Sequence, residues 1–360
     1  TMGIGKLFHK HAPEGVFELS GGRVPGFGPK PEKRFKWEGK PGLNYGGTST
    51  DWGAFPDNDE EMPDYQSARW AKERLSESHD RPFFLGVGFL RPHVPWYVPQ
   101  KWFDLHPVDE IEMPPYLPTD MDDIPETGKA MAEVPMMPTT EWAIRNDEWK
   151  YIVQAYLACI SFVDHQVGVV LDALENSPYA DNTIIVLWGD HGYHIGEKNR
   201  FAKHSLWEEA TRAPLIFSVQ KYKKNQVCHK PVGMVDIYPT LLDLAGLPEN
   251  PVNEGHSLTP LLLNPNNDWK HAAITTYGRN NHAVRSEHYR YIQYEEGSEE
   301  LYDNENDRNE WYNLANDPSY KSIRNELKKY CPQVNEPWAP TSRYDYNRYF
   351  TDQKKERESN

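Results

Sequence analysis

Thr183-Ile184-Ile185-Val186-Leu187-Trp188 runs directly into Gly189-Asp190-His191-Gly192. The first six residues are apolar, rich in β-branched side chains and too few for a helix, so they read as a buried strand. The glycine-bounded turn that follows sets Asp190 and His191 at the strand's C-terminal end. In open parallel α/β sheets that end, with the helix N-termini beside it, is where ligands bind. Twelve residues on, Ala202-Lys203-His204-Ser205 adds a lysine to the same post-strand stretch. An acid, an imidazole able to bind a metal and a lysine in one loop are the layout of a metal site that hydrolyses anionic esters.

Outward from this stretch, Ile152, Tyr156, Ile160, Val163, Val167, Val170 and Leu174 recur at three- and four-residue steps. That spacing predicts a helix over 147–176 with those residues as its apolar stripe. A helix leading into a strand is one unit of a layered α/β sheet. Residues 83–90 read as a second buried strand, followed at once by His93 between Pro92 and Pro95, and 214–218 as a third. A short helix is expected over 67–77 and another over 234–247, ended by Gly246 and Pro248. Residues 10–60, rich in Gly, Pro and Lys, and the proline- and acid-rich 96–140 read as long loops near a site. From 272 to 294 the pattern turns to strands, with a last helix near 320–330. The fold class is therefore α/β, with a smaller C-terminal α+β subdomain; the boundary is drawn as 1–262 and 263–360.

Composition bounds the function. With 39 Lys and Arg against 54 Asp and Glu the net charge is -15, which argues against a general nucleic-acid surface. No uninterrupted apolar run reaches the roughly 18 residues that suggest a membrane span. Three cysteines, Cys159, Cys228 and Cys331, lack disulfide or zinc spacing and are expected as free thiols. An acidic protein that takes an anionic ester must gather positive charge locally, and Lys6, His9, His93, Lys203 and His204 are the candidates.

Gly-Asp-His-Gly, then Gly196-Glu197, then Ala-Lys-His-Ser together resemble the type I sulfatases of the alkaline phosphatase superfamily, in the branch of iduronate-2-sulfatase. Separate segments carry the same resemblance: Gly5-Lys6-Leu7-Phe8-His9, Phe83 to Gly88 with Arg91-Pro92-His93-Val94-Pro95, Tyr156 to Asp164, Val235-Asp236-Ile237-Tyr238-Pro239-Thr240-Leu241, and Glu299 to Asp303 with Trp311 to Leu314. It implies an alkaline phosphatase-like, mixed and mostly parallel sheet flanked by helices. It also implies a metal, Ca2+ with Mg2+ as second choice, and a formylglycine nucleophile. The expected reaction is removal of sulfate from a sulfated carbohydrate, such as a 2-O-sulfated uronic acid or a polysaccharide fragment.

Sulfatases of this type carry a Cys- or Ser-x-Pro-Ser-Arg motif whose first residue becomes formylglycine, and this sequence has none. Its nearest look-alike, Pro340-Thr341-Ser342-Arg343, follows Trp338-Ala339 and is discounted. The paired aspartates that bind metal near the start of the family's fold are missing as well. The expectation is a chain that starts inside the catalytic domain, truncated or split, with a second chain as a candidate partner. A periplasmic or secreted bacterial location is expected, with a lysosomal one as alternative, since no Asn-x-Ser/Thr sequon occurs.

The resemblance assigns Asp190 and His191 to the metal and Lys203 to the sulfate oxygens. It places Lys6 at the nucleophile and sulfate, His9 at the hydrated aldehyde and His93 at the leaving group. His282 and Arg285 are set against the sugar. Chemistry alone leaves plainer roles open: Asp190 as a turn cap, Lys203 as a solvated lysine, His9 and His93 as ordinary turn histidines, and His282 and Arg285 at exposed sheet positions. Calcium prefers oxygen ligands and imidazole suits transition metals, so His191 rests on the resemblance. Glu197, His194 and His204 are weaker candidates, and Trp96, Tyr97 and Trp102 form either sugar platforms or a loop core. The rival readings are a phosphoester or phosphonate hydrolase of the same superfamily and a catalytically inactive glycan-binding protein.

Overall fold

The computed structural model describes residues 1–9, 11–24, 26–39, 50–337 and 347–359. The look-alike at 340–343 and parts of the 10–60 stretch lie outside the described residues. The chain divides into two compact units, residues 1–113 with 136–183 and residues 114–135 with 184–360. This partition differs from the 262/263 boundary, because the strand before Asp190 belongs with the C-terminal strands.

In the first unit, β1 (Met2–Gly5) stands between β2 (Leu19–Gly22) and β4 (Leu85–Gly88), and all three run parallel. β3 (Trp52–Ala54) pairs in parallel with β5 (Trp96–Val98). Thus β2 and β3 arise within a region read as loop. Their residues are short of apolar periodicity, and neighbouring strands supply the pairing that local sequence does not. The 83–90 strand is also shorter and less buried than expected, with Phe84 54% exposed. α1 (Pro63–Ser76) starts four residues before its predicted place, with Pro63 in its first turn where a missing N–H costs nothing. α2 (Gln100–Phe103) and α4 (Thr140–Arg145) are short, and Thr139 Oγ1 caps the latter by accepting from Trp142 N at 3.2 Å.

α5 (Trp149–Glu175) forms where predicted but buries a different face. Its buried residues are Ile152, Val153, Ala155, Ala158, Cys159, Phe162, Gln166 and Leu174, while Ile160 is exposed. α5 packs against α1, which buries Ala68 and Ala71. Alanines on both helices permit a close approach, and that outweighs a wider stripe of bulky side chains. α5 is long and apolar enough to cross a membrane by length and composition alone, but Asp164, His165 and Gln166 interrupt its apolar run.

In the second unit, β6 (Ile185–Trp188) pairs antiparallel with β7 (Leu215–Ser218). The strand is only partly buried, and Trp188 is 50% exposed. Strand type is legible locally, whereas its partner and direction are set by a segment thirty residues away. β8 (Ala273–Thr276), β9 (His282–Arg285), β10 (Tyr289–Gln293) and β11 (Glu299–Asp303) form an antiparallel sheet in the order β11-β10-β9-β8. On it pack Leu327 of α9 (Lys321–Leu327) and Cys331 on one side, and Trp207 and Leu206 on the other. The unit also holds α3 (Glu126–Ala132), α6 (Glu208–Thr211), α8 (Thr259–Leu263) and α10 (Arg348–Ser359). α7 (Ile237–Ala245) ends at Gly246, whose φ of 66° is the left-handed C-cap the sequence predicts. Asp236 before it is structural: its carboxylate accepts from Gly233 N and His256 N, each at 2.8 Å. All three cysteines are free thiols.

Candidate anion-hydrolysing site

The Asp190 loop is held by main chain. Gly189 N donates to Pro214 O at 3.0 Å and Gly192 N to Ala210 O at 2.9 Å, which fixes both ends of the Gly-Asp-His-Gly turn. A Cβ on Gly192 would stand 2.1 Å from Glu209 O, so only glycine fits there. Between these anchors the His191 ring is oriented by Nδ1, 2.8 Å from the Gly192 carbonyl. A carbonyl only accepts, so Nδ1 carries the proton and Nε2 presents its lone pair. Lys203 Nζ donates to Nε2 at 2.9 Å, and Asp190 Oδ1 lies 3.5 Å from it. The two electron-pair donors and the ammonium thus meet at the end of β6, with the Asp190 carboxylate 63% exposed.

Asp190 Oδ1 and His191 Nε2 are suited to two positions in the shell of a divalent cation, which favours several oxygen or imidazole donors. Among the described residues no group of three or more His, Cys, Asp or Glu is placed to hold a metal ion, so these two donors do not by themselves make a complete shell.

Lys203 is positioned by the loop that precedes it. His194 N donates to Ala202 O at 3.1 Å and Gly196 N to Arg200 O at 3.1 Å, so 194–202 folds back on itself. The buried His194 ring meets Ser205 Oγ at 3.0 Å, and burial lowers its pKa, which keeps it neutral. Lys198 is buried at the loop's tip, where its ammonium donates to Asp120 Oδ1 and to the Glu310 carbonyl. Glu197 closes the turn by accepting from Ile195 N at 2.8 Å, and burial pushes its carboxyl up to about 7. This folded-state pKa lies above the unfolded one near 4.5, so the stability it gives is full below pH 4.5 and is lost as pH rises through 7. Glu197→Gln should remove this fall. Between pH 5 and 8 the wild type loses up to about 3 kcal/mol more than the variant in urea unfolding, and parallel curves would refute the assignment.

Lys6, His9 and His93 lie in the first unit. Gly5 of β1 is paired with Gly88 of β4, and Lys6 N donates to Gly88 O at 2.9 Å. Lys6 and the segment toward His93 therefore leave the parallel sheet at the same, C-terminal end. His9 is exposed, and its carbonyl accepts from Arg23. His93 is set by Nδ1 donating to Val94 O at 2.7 Å and by the buried Arg91. Asp64, buried in α1, accepts from Leu90 N at 2.7 Å and Arg91 N at 2.9 Å, which ties the turn to the helix.

The two residues set against the sugar are not at exposed sheet positions. His282 is buried in β9 with Nδ1 2.9 Å from Thr276 Oγ1, and burial lowers its pKa. Arg285 donates to Glu208 Oε2 at 3.1 Å. They point to opposite faces of β9, and both faces are covered by packed clusters, which the mixed strand sequence does not reveal. Trp96, Tyr97 and Trp102 are buried and form a loop core. Sequence reasoning missed the supporting roles of Asp64 and Arg91; only an acid in a helix's first turn was available as a signal for the first.

A mixed α/β fold with an acid, an imidazole and a lysine converging at a strand end defines a class of hydrolase acting on anionic esters. The chain belongs to the sulfatase family: residues 30–247 match the model described as "Sulfatase". Residues 196–336 match "N-sulphoglucosamine sulphohydrolase, C-terminal". A sulfatase of Formosa agariphila is 55% identical over 98% of this chain and 71% of its own. The iduronate 2-sulfatase of Mus musculus is 31% identical over 70% of this chain and 53% of its own. Among solved structures, a 2-O GAG sulfatase superposes with a TM-score of 0.60 and 27% identity over 76% of this chain and 63% of that one. Apart from the Formosa protein, the chain spans about half to two thirds of the length of these relatives.

Proposed function

We propose that this chain forms part of a formylglycine-dependent sulfuric ester hydrolase that removes sulfate from a sulfated saccharide, with a 2-O-sulfated uronic acid as the substrate class. The observation that carries this is the convergence of Lys203 Nζ, His191 Nε2 and Asp190 Oδ1 on one point at the end of β6. Family membership and the likeness to an iduronate 2-sulfatase and a 2-O GAG sulfatase support the substrate class.

A divalent cation, Ca2+ by the family pattern, supplies positive charge beside the sulfate, and a formylglycine supplies the nucleophilic oxygen. Asp190 and His191 would hold such a cation through Oδ1 and Nε2, the Nε2 lone pair exchanging its hydrogen bond from Lys203 for the cation and freeing that ammonium for the sulfate. Lys203 binds a sulfate oxygen and offsets the negative charge that grows there as the ester breaks. By the family pattern Lys6 would serve the nucleophile and sulfate, and His9 the hydrated aldehyde. His93 gives its Nε2 proton to the sugar oxygen as the S–O bond breaks. The reacting groups are mostly positioned and neutralised, which suits a protein whose net charge elsewhere repels the substrate. A periplasmic or extracellular location goes with a polysaccharide substrate.

The test is sulfate release, followed by ion chromatography, from a 2-O-sulfated unsaturated uronate disaccharide, beside 4-nitrophenyl phosphate and phenyl phosphonate esters. Release from the sulfated disaccharide is the expected result. Turnover of a phosphorus ester with no sulfate release would move the protein to the rival hydrolase class.

A further inference from the structure

We propose that Phe27 is a positioning residue for His93, stacking on the imidazole so that it presents Nε2 to the leaving oxygen. The proposal rests on the reading of His93 as the leaving-group acid. The Phe27 ring lies 4.5 Å from the His93 ring, tilted by only 9°. The same Arg91 guanidinium ties both main chains: Nη1 donates to His93 O at 3.1 Å and to Phe27 O at 3.2 Å. Its Nη2 donates to Phe27 O at 3.2 Å and its Nε to Tyr97 O at 3.1 Å. Arg91 is buried and is anchored in turn through its own amide on Asp64. One guanidinium therefore clips a residue sixty-six positions away onto the His93 turn, and the clipped residue covers the imidazole face.

Two restraints now act on the ring. The bond from Nδ1 to Val94 O, 2.7 Å long, fixes the tautomer and leaves Nε2 as the nitrogen at which a proton comes and goes. The aromatic face fixes the ring's plane, because parallel contact is lost if the imidazole tilts. In the reaction sulfur bonds to the attacking oxygen as its ester S–O bond breaks, the sugar oxygen leaves with that electron pair and takes the Nε2 proton, and the imidazole is left neutral with hydrogen on Nδ1. A tilt of the ring lengthens that proton's path, and misplacement by about 1 Å costs on the order of 100-fold in rate.

The test compares two leaving groups in the formylglycine-bearing enzyme. A sugar alkoxide needs the proton, whereas 4-nitrophenolate leaves without it. Phe27→Ala should lower kcat on the sugar sulfate by about 10- to 100-fold with KM changed less than about 2-fold, and lower 4-nitrophenyl sulfate turnover by less than about 3-fold. Phe27→Tyr keeps the stack and should recover the sugar ester rate to within about 3-fold. Independently, the His93 ring C–H resonances should move downfield in Phe27→Ala as the ring current is lost. Equal falls on both esters, no fall on either, or unmoved resonances would overturn the proposal. If the unaltered enzyme cleaves neither ester, the sulfatase reading fails and takes the catalytic role with it. The resonances then still report whether Phe27 covers His93.

Discussion

Lys203→Ala is expected to lower kcat/KM for sulfate ester hydrolysis by about 10²- to 10³-fold, the usual loss when one preorganised donor to a developing negative charge is removed. The ammonium is 2.9 Å from His191 Nε2, so its loss also removes the donor that faces the imidazole lone pair. Stability should change by less than about 0.5 kcal/mol, since the residue is only partly buried and holds no strand or helix end. Lys203→Arg keeps a cation but spreads it over a planar fork, and should recover only part of the rate. The assay is initial-rate kinetics on a sulfated disaccharide, with chemical unfolding of each variant alongside. Turnover within about 3-fold of the unaltered enzyme would remove Lys203 from the sulfate site and return it to the status of a solvated lysine.

The largest stability effect is expected away from the chemistry, at Arg290 in β10. Its side chain is 2% exposed, with Nε donating to Glu310 Oε1 at 2.6 Å, Nη1 to Leu206 O at 3.1 Å and Nη2 to Glu208. Burial pushes the Glu208 carboxyl up, but Arg290 and Arg285 beside it together hold it below the usual carboxylate range. Glu310 also accepts from Asn304 Nδ2 at 3.0 Å and, through Oε2, from Glu208 N at 2.9 Å. Arg290→Met leaves the buried Glu310 carboxylate without its cation and should destabilise the fold by about 3–5 kcal/mol. Replacing Glu310 by Leu as well removes the stranded charge and should restore part of the loss, because desolvation of both ions then disappears. Urea unfolding of the single and double variants decides this. A single-variant loss below about 1 kcal/mol would mean that water reaches the cluster and screens it. The cluster also braces the start of α6, a few residues after Lys203, so such a loss should be accompanied by weaker catalysis.

The sequence by itself determined the elements whose signals are local. The apolar β-branched run before Gly189 specified the β6 strand and placed Asp190 and His191 at its end. Three- and four-residue spacing specified the length of α5, and Gly246 the end of α7. The likeness of separated motifs was enough to select the family. Only the tertiary structure decided what depends on distant residues. The α5 face that is buried follows from alanines on α1, ninety residues earlier, and a helical wheel cannot contain that information. The antiparallel partner of β6, the burial of His282, the ion pair of Arg285 with Glu208, and the Arg290 cluster depend on which segments pair, as does the clip of Phe27 onto His93. In each case the deciding free energy is that of contacts between positions far apart in the chain, where propensity and periodicity carry no signal.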